Sequence, residues 1–120
     1  MLRGYARTVG VGLLLLGGAC MLGVGTTNPL VDLDHLFVGR LLWYAGSGDR
    51  DEEFAHGIVG GTGVIYLMAG ALAWVVPALL SAPFAEIHNG ILLNRAVHVA
   101  VGLSNVAAVG LFPQNPPVRR

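Results

Sequence analysis

The chain alternates long apolar runs with short polar connectors. Residues 8–25 and 57–80 contain no charged side chain, and a third apolar run, 94–112, carries only Arg95 and His98 as ionisable side chains. A helix needs about 20 apolar residues to cross the hydrocarbon core of a bilayer. Each of the three runs therefore predicts one membrane-spanning helix.

The segment 29–46 is predicted as a fourth span although two carboxylates lie near its start. Asn28 can cap this helix, and Pro29 suits its first position. Asp32 and Asp34 then lie in the first turns, where the positive end of the helix dipole and nearby water lower the cost of a charge. The alternative is a three-helix protein in which this segment lies outside the membrane as a loop helix.

The arginines predict the orientation of the spans, because positive residues accumulate in cytoplasmic loops. With the N-terminus inside, the inner side collects Arg3, Arg7, Arg50, Arg119 and Arg120. We therefore expect a multi-pass cell-membrane protein with both termini in the cytoplasm. An alternative interprets the first helix as a signal peptide that ends at Cys20, but apolar residues continue beyond this cysteine and favour a retained helix.

Composition supports a membrane class. Hydrophobic residues make up 54% of the 120 residues and charged residues 12%, whereas soluble proteins carry about 25% charge. The mean hydropathy is +0.67. Clustered basic residues are missing from the sequence, which excludes a nucleic-acid surface, and a single cysteine excludes an internal disulfide. All basic residues are arginine, which suggests a prokaryotic source with a GC-rich genome.

The spans form two similar halves, residues 8–46 and 57–112. The second helix of each half carries His-x-x-x-Gly, at His35–Gly39 and at His98–Gly102. Because each half has two spans, the halves share one orientation and the two histidines lie at similar depth. The predicted fold is an all-α, integral membrane four-helix bundle of two tandem hairpins, forming a single transmembrane domain over 1–120.

Aligning the two histidines sets Asp32 opposite Arg95, each about one turn outward of its histidine. An ion pair between these two side chains would hold two charges that are expensive alone in a membrane. The alternative is that Arg95 reaches the lipid headgroups while Asp32 faces water.

Small residues predict where helices touch. Gly39 and Gly102 lie one turn after the histidines, and Gly57 and Gly61, with the neighbouring Gly60, form a flat surface on the third helix. We expect this surface to pack within the protein, with packing between copies as the alternative.

This pattern resembles a family of small, uncharacterised prokaryotic four-helix membrane proteins, in which two helices each carry an Asn followed by His-x-x-x-Gly. The matching residues are Asn28, His35 and Gly39 in the first half and Asn94, His98 and Gly102 in the second. The resemblance covers roughly residues 8 to 112. It implies the four-helix fold and supplies no activity.

The outer polar residues allow several functions. In the first, which the sequence favours, the histidines hydrogen-bond across the bundle of a non-enzymatic membrane component, embedded in the lipid bilayer alone, as a homo-oligomer or as an accessory subunit. In the second, His35 and His98 are the axial ligands of a b-type haem, with Gly39 and Gly102 leaving room for the ring and Arg95 near its propionates.

A third function is a divalent-metal site at the outer face. Its candidate ligands are His35, His88, His98, Asp32, Asp34 and Glu86. Neighbouring helical residues point about 100° apart, so we expect Asp32 with His35, rather than Asp34 with His35, to join a histidine of another helix. The fourth is transport or proton relay. The third helix lacks acidic and basic residues between His56 and Glu86, which counts against a continuous path.

Overall fold

The computed structural model describes residues 1–24, 29–75 and 88–113, with only the backbone described over 88–94. These residues form four helices and no strand, which confirms the all-α, four-helix prediction. The helices are α1 (Leu2–Met21), α2 (Pro29–Gly46), α3 (Glu52–Val75) and α4 (His88–Leu111).

The described helix ends follow local capping rules. Asp51 accepts a hydrogen bond from the Phe54 amide at 2.7 Å and so caps the start of α3. After α1, the Val24 amide donates to the Ala19 carbonyl and the Gly23 amide donates to the Cys20 carbonyl. Gly23 has φ +85°, the left-handed conformation that this type of helix end requires.

Glycines bring α1 and α2 into backbone contact as an antiparallel pair. A Cβ added at Gly39 would lie 2.8 Å from the Leu14 nitrogen, and one added at Gly17 would lie 2.8 Å from the Asp32 carbonyl oxygen. Both separations are too short for a real side chain. Any larger residue at these positions would force the two helices apart.

The second hairpin uses the same kind of contact. A Cβ at Gly102 would lie 2.6 Å from the Leu67 nitrogen and 3.0 Å from the Gly63 carbonyl oxygen. In the first hairpin, a Cβ at Gly39 would meet the Leu14 nitrogen and the Gly10 carbonyl oxygen. The glycine that follows each histidine therefore allows close approach within its own hairpin.

The expectation that Gly57, Gly60 and Gly61 pack within the protein holds only for Gly60, where an added Cβ would contact α4 at 3.5 Å. Gly57 and Gly61 are exposed, and a Cβ at either would meet no atom of the described residues within 4 Å. The inward face of α3 instead carries Gly63 and Gly70, which contact α4. Gly63 lies two residues beyond Gly61, about 200° further around the helix, so the two glycines cannot face the same neighbour.

Two of the helices, α1 and α3, are long and apolar enough to cross a membrane, judged by length and composition. In α4 the apolar part described, Arg95–Leu111, is shorter. Large apolar side chains also cover the outside of the bundle, including Leu15, Phe37 and Ile65, each more than 60% exposed.

Candidate metal centre

Three helices place aromatic and ionisable side chains together between the two hairpins. The ring centroid of His35 on α2 lies 5.4 Å from that of His98 on α4. Tyr66 on α3 packs against His98 with ring centroids 4.5 Å apart, and its centroid lies 6.4 Å from that of His35. The group therefore joins the first hairpin to the second.

Asp34 completes a set of possible metal ligands with the two histidines. Its Oδ2 lies 3.5 Å from His98 Nε2, and one ligand atom from each of Asp34, His35 and His98 lies within 4.8 Å of the others. Two donor atoms bound at about 2.1 Å to one tetrahedral ion lie about 3.4 Å apart. We call these three residues the metal triad.

His35 is the histidine of this cluster whose ring nitrogens lack hydrogen-bond partners among the described residues. Its exposed fraction is 1%. Leaving one buried polar group unpaired costs about 1–3 kcal/mol. Such a group is typical of a site that is completed by an ion or a ligand.

The Tyr66 hydroxyl adds a further polar group to this cluster. It lies beside the Asp34 carboxylate, close enough for electrostatic interaction, but it completes no hydrogen bond among the described residues. The sequence analysis missed Tyr66. The sequence feature that could have pointed to Tyr66 is its position in the middle of an apolar span. This position is unusual, because tyrosines of membrane helices are enriched at the two interfaces.

The structure corrects the expected carboxylate of a metal site. Asp32 was expected to join His35, but Asp34 lies in the triad. The Asp32 backbone packs on α1 at Gly17, which turns that part of α2 towards its hairpin partner. Although Asp34 and His35 are adjacent in the helix, one ligand atom of each lies within 4.8 Å of a His98 nitrogen.

The predicted ion pair between Asp32 and Arg95 is wrong for the described structure. Arg95 lies over the Trp74 ring, with Cζ 5.5 Å from its centroid, in a cation–π contact. Asp32 is 1% exposed, and its Oδ1 has no hydrogen-bond partner among the described residues. Arg95 therefore interacts with an aromatic ring of α3 instead of the Asp32 carboxylate.

Several predicted residues lie outside the described part. Asn28 and Glu86 fall outside the described residues, while Asn94 and His88 belong to α4 by backbone alone. Gly39 and Gly102, expected to leave room for a haem, contact the backbones of α1 and α3. Both glycines therefore serve packing within their own hairpins, which differs from the role expected for them beside a haem.

A second buried polar cluster, which the sequence analysis also missed, lies further along the bundle. The Tyr5 hydroxyl donates to Asn105 Oδ1 at 2.7 Å, and Asn105 Nδ2 donates to Thr62 Oγ1 at 3.0 Å. Thr62 Oγ1 in turn donates to the Ile58 carbonyl at 2.8 Å. We call Tyr5, Thr62 and Asn105 the hydrogen-bonded cluster.

Comparison with protein-family models, curated proteins and solved structures found no match to this chain. The resemblance to the four-helix family therefore stays a prediction. Function must be argued from the geometry of the two clusters.

Proposed function

We propose that the chain is a multi-pass membrane protein that binds a divalent transition-metal ion at Asp34, His35 and His98. The observation that carries this proposal is His35, an imidazole that is 1% exposed and has both nitrogens unpartnered among the described residues. It lies in a group of three donor side chains whose ligand atoms are within 4.8 Å of one another.

The donor set indicates the class of ion. Two imidazoles and one carboxylate suit zinc, iron or manganese, whereas magnesium and calcium prefer oxygen ligands. The separation of 3.5 Å between His98 Nε2 and Asp34 Oδ2 is close to the roughly 3.4 Å expected for two ligands of one tetrahedral ion. Binding then requires only small side-chain movements.

The same observation disfavours a purely structural role for the histidines. A histidine that joins helices does so by hydrogen bonds across the bundle, and His35 makes none among the described residues. An apolar side chain of similar size would fill the same space without the cost of an unpaired imidazole. Metal binding supplies the reason to keep an imidazole there.

The metal test uses the full chain, purified from membranes in mild detergent. Metal content by mass spectrometry and zinc, manganese and iron titrations against a chromophoric chelator measure stoichiometry and affinity. We expect one ion per chain in the wild type and loss of that ion in His35→Ala and His98→Ala. The control is His56→Ala, since His56 is half-buried on α3 outside the triad. Equal metal content in all four proteins would refute the site, and a haem spectrum would assign the histidines to haem.

The membrane part of the proposal is supported by the outer surface of the bundle. Two helices are long and apolar enough to span a membrane, and the exposed side chains Leu15, Phe37 and Ile65 suit contact with lipid. The N-terminal amine lies 3.1 Å from the carboxylate of Glu52. The N-terminus and the start of α3 therefore lie at one end, which we propose is cytoplasmic because Arg3, Arg7 and Arg50 are near it.

The orientation test uses two new cysteines in a Cys20→Ala background. Ser47→Cys marks the α2–α3 connection, and Val24→Cys marks the opposite end of the bundle. A membrane-impermeant maleimide applied to intact cells should label the protein with Val24→Cys alone. Labelling of both proteins, or recovery of the chain in the soluble fraction, would contradict the proposed topology.

We further propose that the two hairpins are an internal repeat. Support comes from matching close contacts, because Gly39 meets Leu14 and Gly10 as Gly102 meets Leu67 and Gly63. The repeat would explain why two histidines, one per hairpin, lie side by side at one depth.

A further inference from the structure

We infer that the metal ion at the triad keeps one exchangeable coordination position, which binds water or a small monoanion beside the Tyr66 hydroxyl. This inference rests on the proposed metal site and names its external ligand. It is carried by the number of protein donors, the exposure of the triad and the charge of the site.

The described residues supply three donor atoms, one each from Asp34, His35 and His98. Structural zinc sites are closed by four protein ligands, whereas sites with three protein ligands hold water or a substrate at the fourth position. The triad supplies three protein ligands, so it belongs with the sites that hold water or a substrate at the fourth position.

The triad is most accessible on its carboxylate side. The Asp34 side chain is 41% exposed, although its Oδ2 atom is buried, whereas the side chain of His98 is 5% exposed and His35 is 1% exposed. Among the described residues, a small molecule therefore reaches the triad most directly past Asp34. Asp34 is the sixth residue of α2, about 8 Å along the helix from its first residue, so this side is close to the end of the bundle.

Charge favours an anion at the open position. A divalent ion with one carboxylate and two neutral imidazoles keeps a net charge of about +1, which is costly at membrane depth. A monoanion neutralises it. The Asp32 carboxylate is buried one turn before His35 on the same helix and adds a negative charge near the site, which lowers the affinity for an anion.

Tyr66 supplies the hydrogen bond that a bound anion requires. Its ring packs against His98. Its hydroxyl is buried beside the Asp34 carboxylate but forms no hydrogen bond of good geometry among the described residues, so it can turn towards an external ligand. We assign Tyr66 as a positioning residue that donates to the external ligand. The metal ion itself is held by the triad.

The test follows the visible absorption of cobalt(II) added to the metal-free, detergent-purified full chain. Azide is the probe, because it is a small monoanion that binds open metal positions. We expect the cobalt bands to shift with a saturable dependence on azide. Cobalt bands that do not respond to azide would show a fourth protein ligand and overturn this inference alone. Release of cobalt by azide would also overturn it, and failure to bind cobalt would overturn the metal site as well.

Three variants assign the roles. Tyr66→Phe should keep cobalt but weaken azide about tenfold, the effect of one hydrogen bond to a charged group. Tyr44→Phe is the matched control, because Tyr44 packs on Phe54 away from the triad, and it should leave azide affinity unchanged. Asp32→Asn should tighten azide binding. Equal azide affinity in Tyr66→Phe and wild type would remove Tyr66 from the site.

Discussion

Each of the two polar clusters of this bundle contains a residue that is almost completely buried, but only one of these two residues has hydrogen-bond partners among the described residues. In the hydrogen-bonded cluster, Asn105 is fully buried and both ends of its amide have partners. In the metal triad, His35 is equally buried and neither nitrogen has a partner among the described residues. Burial alone therefore does not distinguish a structural polar residue from a functional one, whereas the state of its donors and acceptors does.

Position strengthens the contrast between the clusters. His98 and Asn105 lie seven residues, or two turns, apart on α4, about 10 Å along the same helix. Both clusters join the hairpins, since Tyr5 of α1 meets Asn105 of α4 and His35 of α2 meets His98. Helix α4 thus contributes one residue to each cluster, and both clusters lie between the same two hairpins.

The largest expected effect is on metal affinity, and it should be confined to the triad. His98→Ala removes a ligand, so its effect should exceed the 10–100-fold loss typical of residues that only support a ligand. Asn105→Ala should leave the affinity within a few fold of wild type. Chelator competition measures both dissociation constants. Equal losses in the two variants would mean that both clusters act only through the fold.

The second effect is stabilisation by the ion. A ligand present at 100 times its dissociation constant stabilises the folded state by about 2.7 kcal/mol. Adding zinc to the metal-free protein should therefore raise its thermal midpoint in detergent, measured by circular dichroism at the helix band. Zinc should not raise the thermal midpoint of His35→Ala, whereas it should raise that of Asn105→Ala by as much as in the wild type. A similar rise in His35→Ala would place the ion elsewhere.

The third effect is a loss of stability of the metal-free protein when the hydrogen-bonded cluster is disrupted. Asn105→Ala removes one acceptor of the Tyr5 hydroxyl, which also reaches Ser104 Oγ at 2.9 Å. It also removes the donor to Thr62 Oγ1. Hydrogen bonds between membrane helices contribute about 0.6–1.7 kcal/mol each. We expect a loss of about 1–2 kcal/mol in the free energy of unfolding, measured by SDS titration. Thr8→Ala is the control, because Thr8 is exposed and its hydroxyl donates to a backbone carbonyl of its own helix. No difference between these variants would show that the amide contributes nothing.

Much of the fold could be predicted from the sequence, because apolar runs and helix-ending residues act locally. The pairing of His35 with His98 followed from aligning two short motifs. The choice of Asp34 over Asp32 depended on how Gly17 seats α2 against α1, a rotation that no local pattern encodes. The outward position of Gly57 has the same cause, since a glycine in an apolar helix can face either side.

The unpaired polar atoms could not be predicted at all. Whether Asn105 has partners depends on Tyr5 and Thr62, which lie 100 and 43 residues away in the chain. The partners of His35 and Tyr66 depend likewise on contacts between hairpins. A sequence shows which residues can form hydrogen bonds, and only the packed structure shows which of them do.

The smallest expected effect tests the comparison of the two clusters most directly. Replacing a buried polar residue by leucine should change the free energy of unfolding in opposite directions in the two clusters. His35→Leu replaces an unpaired, buried imidazole by an apolar side chain, so the metal-free protein should keep its stability or gain up to about 1 kcal/mol. Asn105→Leu should lose stability, because it removes one acceptor of the Tyr5 hydroxyl and the donor to Thr62 Oγ1. SDS titration of both metal-free variants measures the difference. A loss of stability in His35→Leu as large as that in Asn105→Leu would show that the His35 imidazole stabilises the fold. The metal triad would then have a structural role as well.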